Sequence, residues 1–528
     1  MRLSPHSIAL FLLLVLGSLG WVILDDYGIS WDEAIQRGHG RVSIDYASEK
    51  LGLDRPPLAP QHDLDNYQWS NYGMLYQLIA TPLELALGLQ DDPFAYYRLR
   101  HVLSFALYLV ALVCFYRSLQ LRWPGRSWYP LMGTAMLVLS PRIFAHAFFN
   151  PKDHILLVFY LISTYTLLRL LRYRTWRAFL WHAFATALAL NTRLPALLVL
   201  AATVGLLVTQ QALDRPRGRR GYLMALLYPI LSLALMIPFF PYLWQDTLHR
   251  LWGALTEMSA FDWGGYNLLF GDRLWATDVP GYYIPAWILI TTPLLYLPFL
   301  LTGLGLSVVR LVRGLRAGRP WSDYGELCDL TQLGLSVGPI LVVIVLHSTL
   351  YNGWRHMHFV YPGLVFLGVG GFAYVRERVP RIAPALLAGG LLLAAYRMIC
   401  GHPHQYVYFN ELIQGDPVMA RFDMDYWGVG FRDALTHLAE TVPEGEVRKV
   451  HCNNWPCRDN LQSLPANLRP RLQIESTRKY ADYFATNFQD EDKKAAFRHE
   501  QRYAEPVVEI APCGQLSIGI YRVQPLEE

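Results

Sequence analysis

The sequence predicts a mainly α-helical, polytopic membrane bundle that carries a small C-terminal α/β domain outside the bilayer. Three observations carry this expectation. Apolar runs close to 20 residues long recur from residue 7 to residue 399, and a helix needs about 20 such residues to cross a bilayer. Only 17% of the 528 residues are charged, against about 25% in soluble proteins. Beyond residue 400 the composition turns polar and holds no further apolar run of spanning length. The chain therefore divides into a transmembrane part, 1–400, and a soluble part, 401–528.

The candidate spans are 7–24, 97–117, 128–145, 153–171, 176–191, 193–212, 222–243, 284–309, 331–350, 356–375 and 382–399, about eleven in all. The first is long for the core of a signal peptide, and no small-residue cleavage site follows it, so it reads as an uncleaved span. Segment 72–90 is also apolar but contains Gln77, Pro82 and Glu84. Arginine decides its status, because cytoplasmic loops carry the Lys/Arg excess. The basic runs are Arg117/Arg122/Arg126, Arg172/Arg174/Arg177, Arg215/Arg217/Arg219/Arg220, Arg310/Arg313/Arg316/Arg319 and Arg376/Arg378/Arg381. All of them fall on one side only if 72–90 does not cross, so this segment is expected to be an interfacial helix. The N-terminus is then cytoplasmic and the C-terminal domain extracytoplasmic.

In that domain Phe431–Thr441 has the pattern of an amphipathic helix, and 446–452 and 507–523 read as strands, the second broken at Cys513-Gly514. Cys452 and Cys457 lie where disulfides form, as a bridge or as two free thiols. His451 beside them points only weakly to zinc, because a full ligand set is not evident.

This topology sorts the polar motifs onto the outer face. They are Asp32-Glu33 after the first span, Lys152-Asp153 in the second outer turn, Arg193 in the third, a long fourth loop, and Arg355-His356 in the fifth. Each has a plain reading. The acids are solvated loop residues, Lys152 and Asp153 a snorkelling pair, Arg193 and Arg355 headgroup anchors, and the boundary Tyr and Trp an aromatic belt. Their recurrence on one face favours a shared site, since an ionisable group at membrane depth costs about 2.5–3.5 kcal/mol on insertion scales. The chemistry that fits is sugar transfer from a lipid phosphate. Cations stabilise the anionic leaving group, a carboxylate takes the acceptor proton, and a closing loop excludes water. The Gly368-Val369-Gly370-Gly371 cluster lies inside a span and reads as close helix packing rather than a phosphate loop.

The motifs in this order resemble the GT-C glycosyltransferases that use polyprenyl-phosphate sugars. The likeness is to the bacterial protein O-mannosyltransferase-like family, which includes the lipid A aminoarabinose transferases. It rests on Asp32-Glu33 after the first span; on Asn71-Tyr72-Gly73-Met74-Leu75, where the family's prolines are missing; on Leu139-Ser140-Pro141 through Asp153; on Phe270-Gly271 through Trp287 with Thr291-Thr292-Pro293; on Asn352-Gly353-Trp354-Arg355-His356 with Tyr361-Pro362, where His356 stands in place of the usual Tyr; and on Tyr406 to Leu412 with Asp425-Tyr426-Trp427-Gly428. The resemblance implies an inverting transfer with Asp32 as base. Glu33 and Asp153 would orient the base or the acceptor. Lys152, Arg193, Arg355 and His356 would contact the lipid phosphate. A loop over 261–283, with Phe270, Tyr282 and Tyr283, would close on the donor.

The expected partners are a polyprenyl-phosphate-linked sugar, membrane lipid, and an acceptor that is a glycolipid, a polysaccharide or a protein. The expected location is a bacterial inner membrane. A net charge of +4 gives no footing for nucleic acid. No cofactor is expected; a divalent metal on Asp32, Glu33 and Asp153 is the alternative, and the closer relatives do without one. Two other readings stand beside the transferase. A polytopic transporter or lipid flippase would show inverted repeats and polar groups near the midplane, and neither is seen. A catalytically silent family member would use the outer domain as an assembly platform.

Overall fold

The computed structural model describes residues 4–213, 219–259, 263–413, 418–489 and 506–523. Two arginines of the third basic run, Arg215 and Arg217, and residues 261–262 of the expected donor loop lie outside them. The chain begins with α1 (Pro5–Ile23), α2 (Trp31–Lys50), α3 (Leu75–Ala86) and α4 (Pro93–Arg122). It continues through α5 (Trp128–Val138), α6 (Pro141–Phe149), α7 (Asp153–Tyr173), α8 (Trp176–Leu190), α9 (Leu197–Leu213), α10 (Arg220–Met236) and α11 (Thr247–Ser259). A hairpin of β1 (Tyr266–Leu269) and β2 (Asp272–Trp275) precedes α12 (Tyr283–Thr291), α13 (Leu297–Arg316), α14 (Tyr324–Val345), α15 (Tyr361–Arg378) and α16 (Ile382–Cys400).

Among the described residues nine helices are long and apolar enough to cross a membrane, or ten if a bent pair counts as one span. The bent pair is α5 and α6, inclined by 68°, where a continuous span over 128–145 was expected. Pro141 at the first turn of α6 explains the break: proline cannot donate into the preceding turn, and it pushes Ser140 out of the helical region. The expected span 176–191 is α8, a 15-residue helix, about 22 Å long at 1.5 Å per residue. It is shorter than the usual span. His182 ties it to α9 through Thr203 at 2.8 Å and to α10 through Tyr228 at 2.9 Å.

The expected span 284–309 is also divided. Asn410 donates to the carbonyls of Leu289 and Thr292 at 2.7 and 2.8 Å, capping α12 before Pro293, and the span proper runs Leu294–Arg316. The span expected at 331–350 starts earlier, as α14. Asp323 caps it by accepting from the Glu326 N–H at 2.8 Å. Asp329 enters the helix because Arg122 and Arg310 meet it at 2.7 and 2.9 Å. Segment 72–90 forms only α3, 12 residues long and too short to cross. The glycines of α15 do serve close packing, since a Cβ on Gly371 would strike the Phe299 carbonyl of α13.

The tail folds into α17 (Phe431–Thr441), β3 (Arg448–Cys452), α18 (Pro456–Gln462), β4 (Leu472–Ile474), β5 (Tyr483–Thr486), β6 (Pro506–Ile510) and β7 (Ile518–Arg522). The sheet order is β4-β3-β5-β7-β6. β3 is parallel to β4 and β5, while β7 is antiparallel to β5 and β6. Its core, with Phe431, Leu435, Val450, Ile518 and Ile520, is separate from that of the helices. Tyr406, Phe409, Phe422 and Trp427 instead belong to the apolar cluster of the spans. Bonds join Cys452 to Cys457 and Cys400 to Cys513. With its sulfur taken up this way, the Cys452 pair cannot serve a zinc site beside His451, whose Nδ1 lies 3.0 Å from the Glu475 carbonyl oxygen.

Candidate active site

Asp32 sits in the first turn of α2, a helix the sequence pattern did not reveal because α2 is polar along most of its length. Three elements hold this turn. Ser30 Oγ donates to the Phe149 carbonyl at the end of α6, at 2.8 Å. The Trp31 N–H donates to the Trp427 carbonyl at 3.0 Å. Asn460 of α18 brackets Ile29, accepting from its N–H at 2.8 Å and donating to its carbonyl at 2.9 Å. Gly28 is needed here, because a Cβ would strike the Val429 carbonyl.

Glu33 has a different position from its neighbour. Its Oε2 accepts from the Ser30 N–H at 2.7 Å, closing a capping box, and its Oε1 lies 2.9 Å from His101 Nε2 on α4. Both oxygens are engaged, and Glu33 does not line the cavity described below.

Lys152 and Asp153 are delivered by the turn between α6 and α7. Asn150 Oδ1 accepts from the N–H groups of Lys152 and Asp153 at 3.2 and 2.8 Å. Asp153 is ion-paired with Arg193 and lies 3.8 Å from Arg355 Nε. Arg355 Nη1 is 3.4 Å from Asp32 Oδ2. The Arg355 guanidinium packs over the rings of Trp427 and Tyr351, 4.4 and 4.9 Å from their centroids, an arrangement open to a planar guanidinium and not to an ammonium. Lys152 Nζ stands 4.1 Å from the Tyr72 ring centroid. Burial pulls the Lys152 ammonium down to about 7, with Asp32 opposing the shift and Arg193 and Arg355 adding to it. Burial pushes the Tyr72 phenol up to about 12.

Asp32, Lys152 and Arg355 open onto one cavity of about 1000 Å³. Its wall is aromatic, with Trp31, Trp69, Tyr72, Trp263, Tyr351 and Tyr426. The hairpin supplies Tyr266, Asn267, Leu268, Gly271 and Arg273, and the outer domain adds Asn453 and Asn454. Phe270 lies at the hairpin tip against Phe422, 5.4 Å between centroids, outside the lining. Tyr282 is exposed, and buried Tyr283 donates to Asn267 Oδ1 at 3.0 Å. His356 packs edge-on against Tyr351 at 4.5 Å and also stays outside the lining.

The set suits an anion better than a cation. Among the described residues Lys152, Arg193 and Arg355 meet the carboxylates of Asp32 and Asp153, and the cavity lining adds one more cation, Arg273, and one more acid, Asp423. Guanidinium groups engage Asp153 and one oxygen of Asp32, and a helix cap and His101 engage Glu33. Among the described residues no group of three or more His, Cys, Asp or Glu side chains is placed to hold a metal ion.

ArnT from Cupriavidus metallidurans in the apo state is similar in structure, with a TM-score of 0.50 over 98% of each chain at 12% identity. The fold is of the GT-C type. The same ArnT bound to undecaprenyl phosphate aligns at a TM-score of 0.42 and 12% identity over 97% of each chain. The archaeal oligosaccharyltransferase AglB from Archaeoglobus fulgidus, in complex with an inhibitory peptide and a dolichol-phosphate, aligns at 0.44 and 12% identity over 98% of this chain and 75% of that one. No family model and no curated protein sequence matches the chain. In the GT-C fold the residues sequence reasoning passed over are Trp31, Trp69, Trp263, Asn453 and Asn454. Trp31 adjoins Asp32, Trp263 falls within the expected donor loop 261–283, Asn453 and Asn454 lie between Cys452 and Cys457, and Trp69 had no such neighbour.

Proposed function

We propose that this chain is an integral membrane glycosyltransferase that moves a sugar from a polyprenyl-phosphate donor to an acceptor hydroxyl, with inversion, at the non-cytoplasmic face of a bacterial inner membrane. The observation that carries the reading is the convergence of Asp32, Lys152 and Arg355 on one aromatic cavity at the end of the helix bundle next to the α/β domain. The opposite end carries the Arg122–Asp329–Arg310 cluster, and the arginine excess assigns that end to the cytoplasm.

Asp32 Oδ1 has no protein hydrogen-bond partner among the described residues. It accepts the proton of the acceptor hydroxyl. The acceptor oxygen bonds the anomeric carbon from the face opposite the phosphate, and the bond from that carbon to the phosphate oxygen breaks. The electron pair leaves on the phosphate, where Lys152, Arg193 and Arg355 stabilise the added charge. Arg355 touches both carboxylates and so couples the base to the leaving-group side. Asp153 keeps Arg193 and Arg355 in place. The hairpin, with Phe270 at its tip, and the turn at Tyr282 form the side from which water is excluded.

The test is Asp32→Asn in purified protein reconstituted with a polyprenyl-phosphate sugar, the product read by mass spectrometry of the membrane and its glycans. Asparagine is nearly isosteric and cannot take the proton. Transfer is expected to fall at least 100-fold with folding and lipid binding retained. Full transfer by this variant would remove Asp32 from the role of base.

A further inference from the structure

We propose that Asn453 and Asn454 of the outer domain form the acceptor subsite, and that the acceptor is a saccharide. This rests on the transferase reading and narrows it to one acceptor class.

Asn487 organises the loop that follows β3. Its Nδ2 donates to the Asp425 carbonyl at 2.7 Å, which turns its Oδ1 toward the loop after β3. That one oxygen accepts from Asn454 Nδ2 at 2.7 Å and from Asn453 Nδ2 at 3.3 Å. An amide's orientation is set by its network, and here the network leaves no choice. Both amide nitrogens are committed, so both carbonyl oxygens are the free ends. Asn453 Oδ1 and Asn454 Oδ1 are shielded from solvent and have no hydrogen-bond partner among the described residues. A buried amide oxygen left without a donor is costly, so the pair is expected to meet a ligand that donates.

Both residues line the same cavity as Asp32. Hanging from a single oxygen, they are held side by side by a short loop that the Cys452–Cys457 bond closes. Two adjacent acceptors match two adjacent hydroxyls. Extended peptide N–H groups on one side of a strand are two residues apart and suit such a pair less well. The same cavity is lined by Trp31 and Trp69. A few fixed polar groups in an aromatic cleft give orientation and specificity, and the apolar face of a sugar ring lies on such an aromatic wall. The loop thus holds the acceptor ring while one of its hydroxyls loses its proton to Asp32.

The test uses the full chain in lipid nanodiscs on an array of neutral oligosaccharides built from hexoses, N-acetylhexosamines, heptoses and 6-deoxyhexoses, with Ser/Thr peptides beside them. A subset of oligosaccharides is expected to be retained, the peptides are not, and Asn453→Ala/Asn454→Ala is expected to weaken retention at least 10-fold. If the double variant melts early, Asn454→Ala alone carries the comparison. Retention of no oligosaccharide, retention of peptides instead, or equal retention by the variants overturns the proposal. Binding of undecaprenyl phosphate to the unaltered protein is read in parallel. Its absence, with oligosaccharide retention intact, would overturn the donor reading and leave the subsite standing.

Discussion

Lys152 is the residue whose charge state the site controls most directly. Burial holds its ammonium at about 7 instead of the ordinary 10.5. A bound phosphate favours the charged form, so binding above pH 7 takes up a proton. Lys152 therefore contributes to anion affinity fully below pH 7 and loses that contribution as the pH rises. Undecaprenyl phosphate is expected to bind the native protein more weakly at pH 9 than at pH 6, relative to Lys152→Met, whose profile lacks this loss. Lys152→Arg should hold its affinity at high pH, because arginine stays charged. Isothermal titration at several pH values, in buffers of different ionisation enthalpy, reads both the affinity and the proton uptake. At Arg355 the relevant property is shape. Lysine cannot stack between Trp427 and Tyr351 while reaching Asp32, so Arg355→Lys is expected to lower turnover more than 10-fold with a smaller change in KM for the donor.

Helix α3 shows how an element can be apolar and still not span. Glu84 lies on it, 2% exposed, and meets Arg37 of α2 and Arg100 of α4 at 2.5 Å each. This acid fastens α3 along the bundle surface. Glu84→Ala would leave Arg100, 1% exposed, without its counter-charge. Breaking such a buried pair costs about 3–5 kcal/mol, visible as a lower melting temperature in detergent. The loop 425–430 is a second positioning element. Asp425 accepts from the N–H groups of Gly428, Val429 and Gly430 at 2.8, 3.2 and 2.8 Å, and the loop it shapes presents Trp427 to Arg355. Burial raises the pKa of Asp425, and the Gly430 and Gly428 N–H bonds oppose the shift. Asp425→Ala should reduce turnover about 10-fold. A retained affinity for undecaprenyl phosphate would separate this from general unfolding.

Across the whole molecule the acid loop, the α6–α7 turn, the hairpin and the α/β domain gather at one end of the bundle. The sidedness assigned from arginine is testable by single-cysteine labelling in intact cells, in a background without exposed native thiols. A cysteine at Asp272 or Glu446, both in segments facing that end, should react with an impermeant maleimide. One at Arg316 should react only after the membrane is opened. The reverse pattern would invert the topology and remove the active-site reading with it. Packing at this scale depends on the contact between α13 and α15. Gly371→Leu would force these helices apart and is expected to prevent stable accumulation of the protein.

Hydropathy and arginine placement alone revealed the class of fold, most spans, the failure of 72–90 to span, and in the tail α17 with β3, β6 and β7, because each depends on local composition and period. The same signals made Asp32, Lys152, Asp153, Arg193 and Arg355 candidates, since charge beside an apolar run is visible in one dimension. Tertiary structure alone decided the rest. The capped end of α12 depends on Asn410 meeting the distant carbonyls of Leu289 and Thr292. Glu33 left the cavity for His101, 68 residues away in the chain. Asn453 and Asn454 entered it from the outer domain because Asn487, on a different loop, turned their amides inward. Hydrogen bonds between distant segments leave no periodic trace in a sequence, and it is these bonds that aim the side chains at the site.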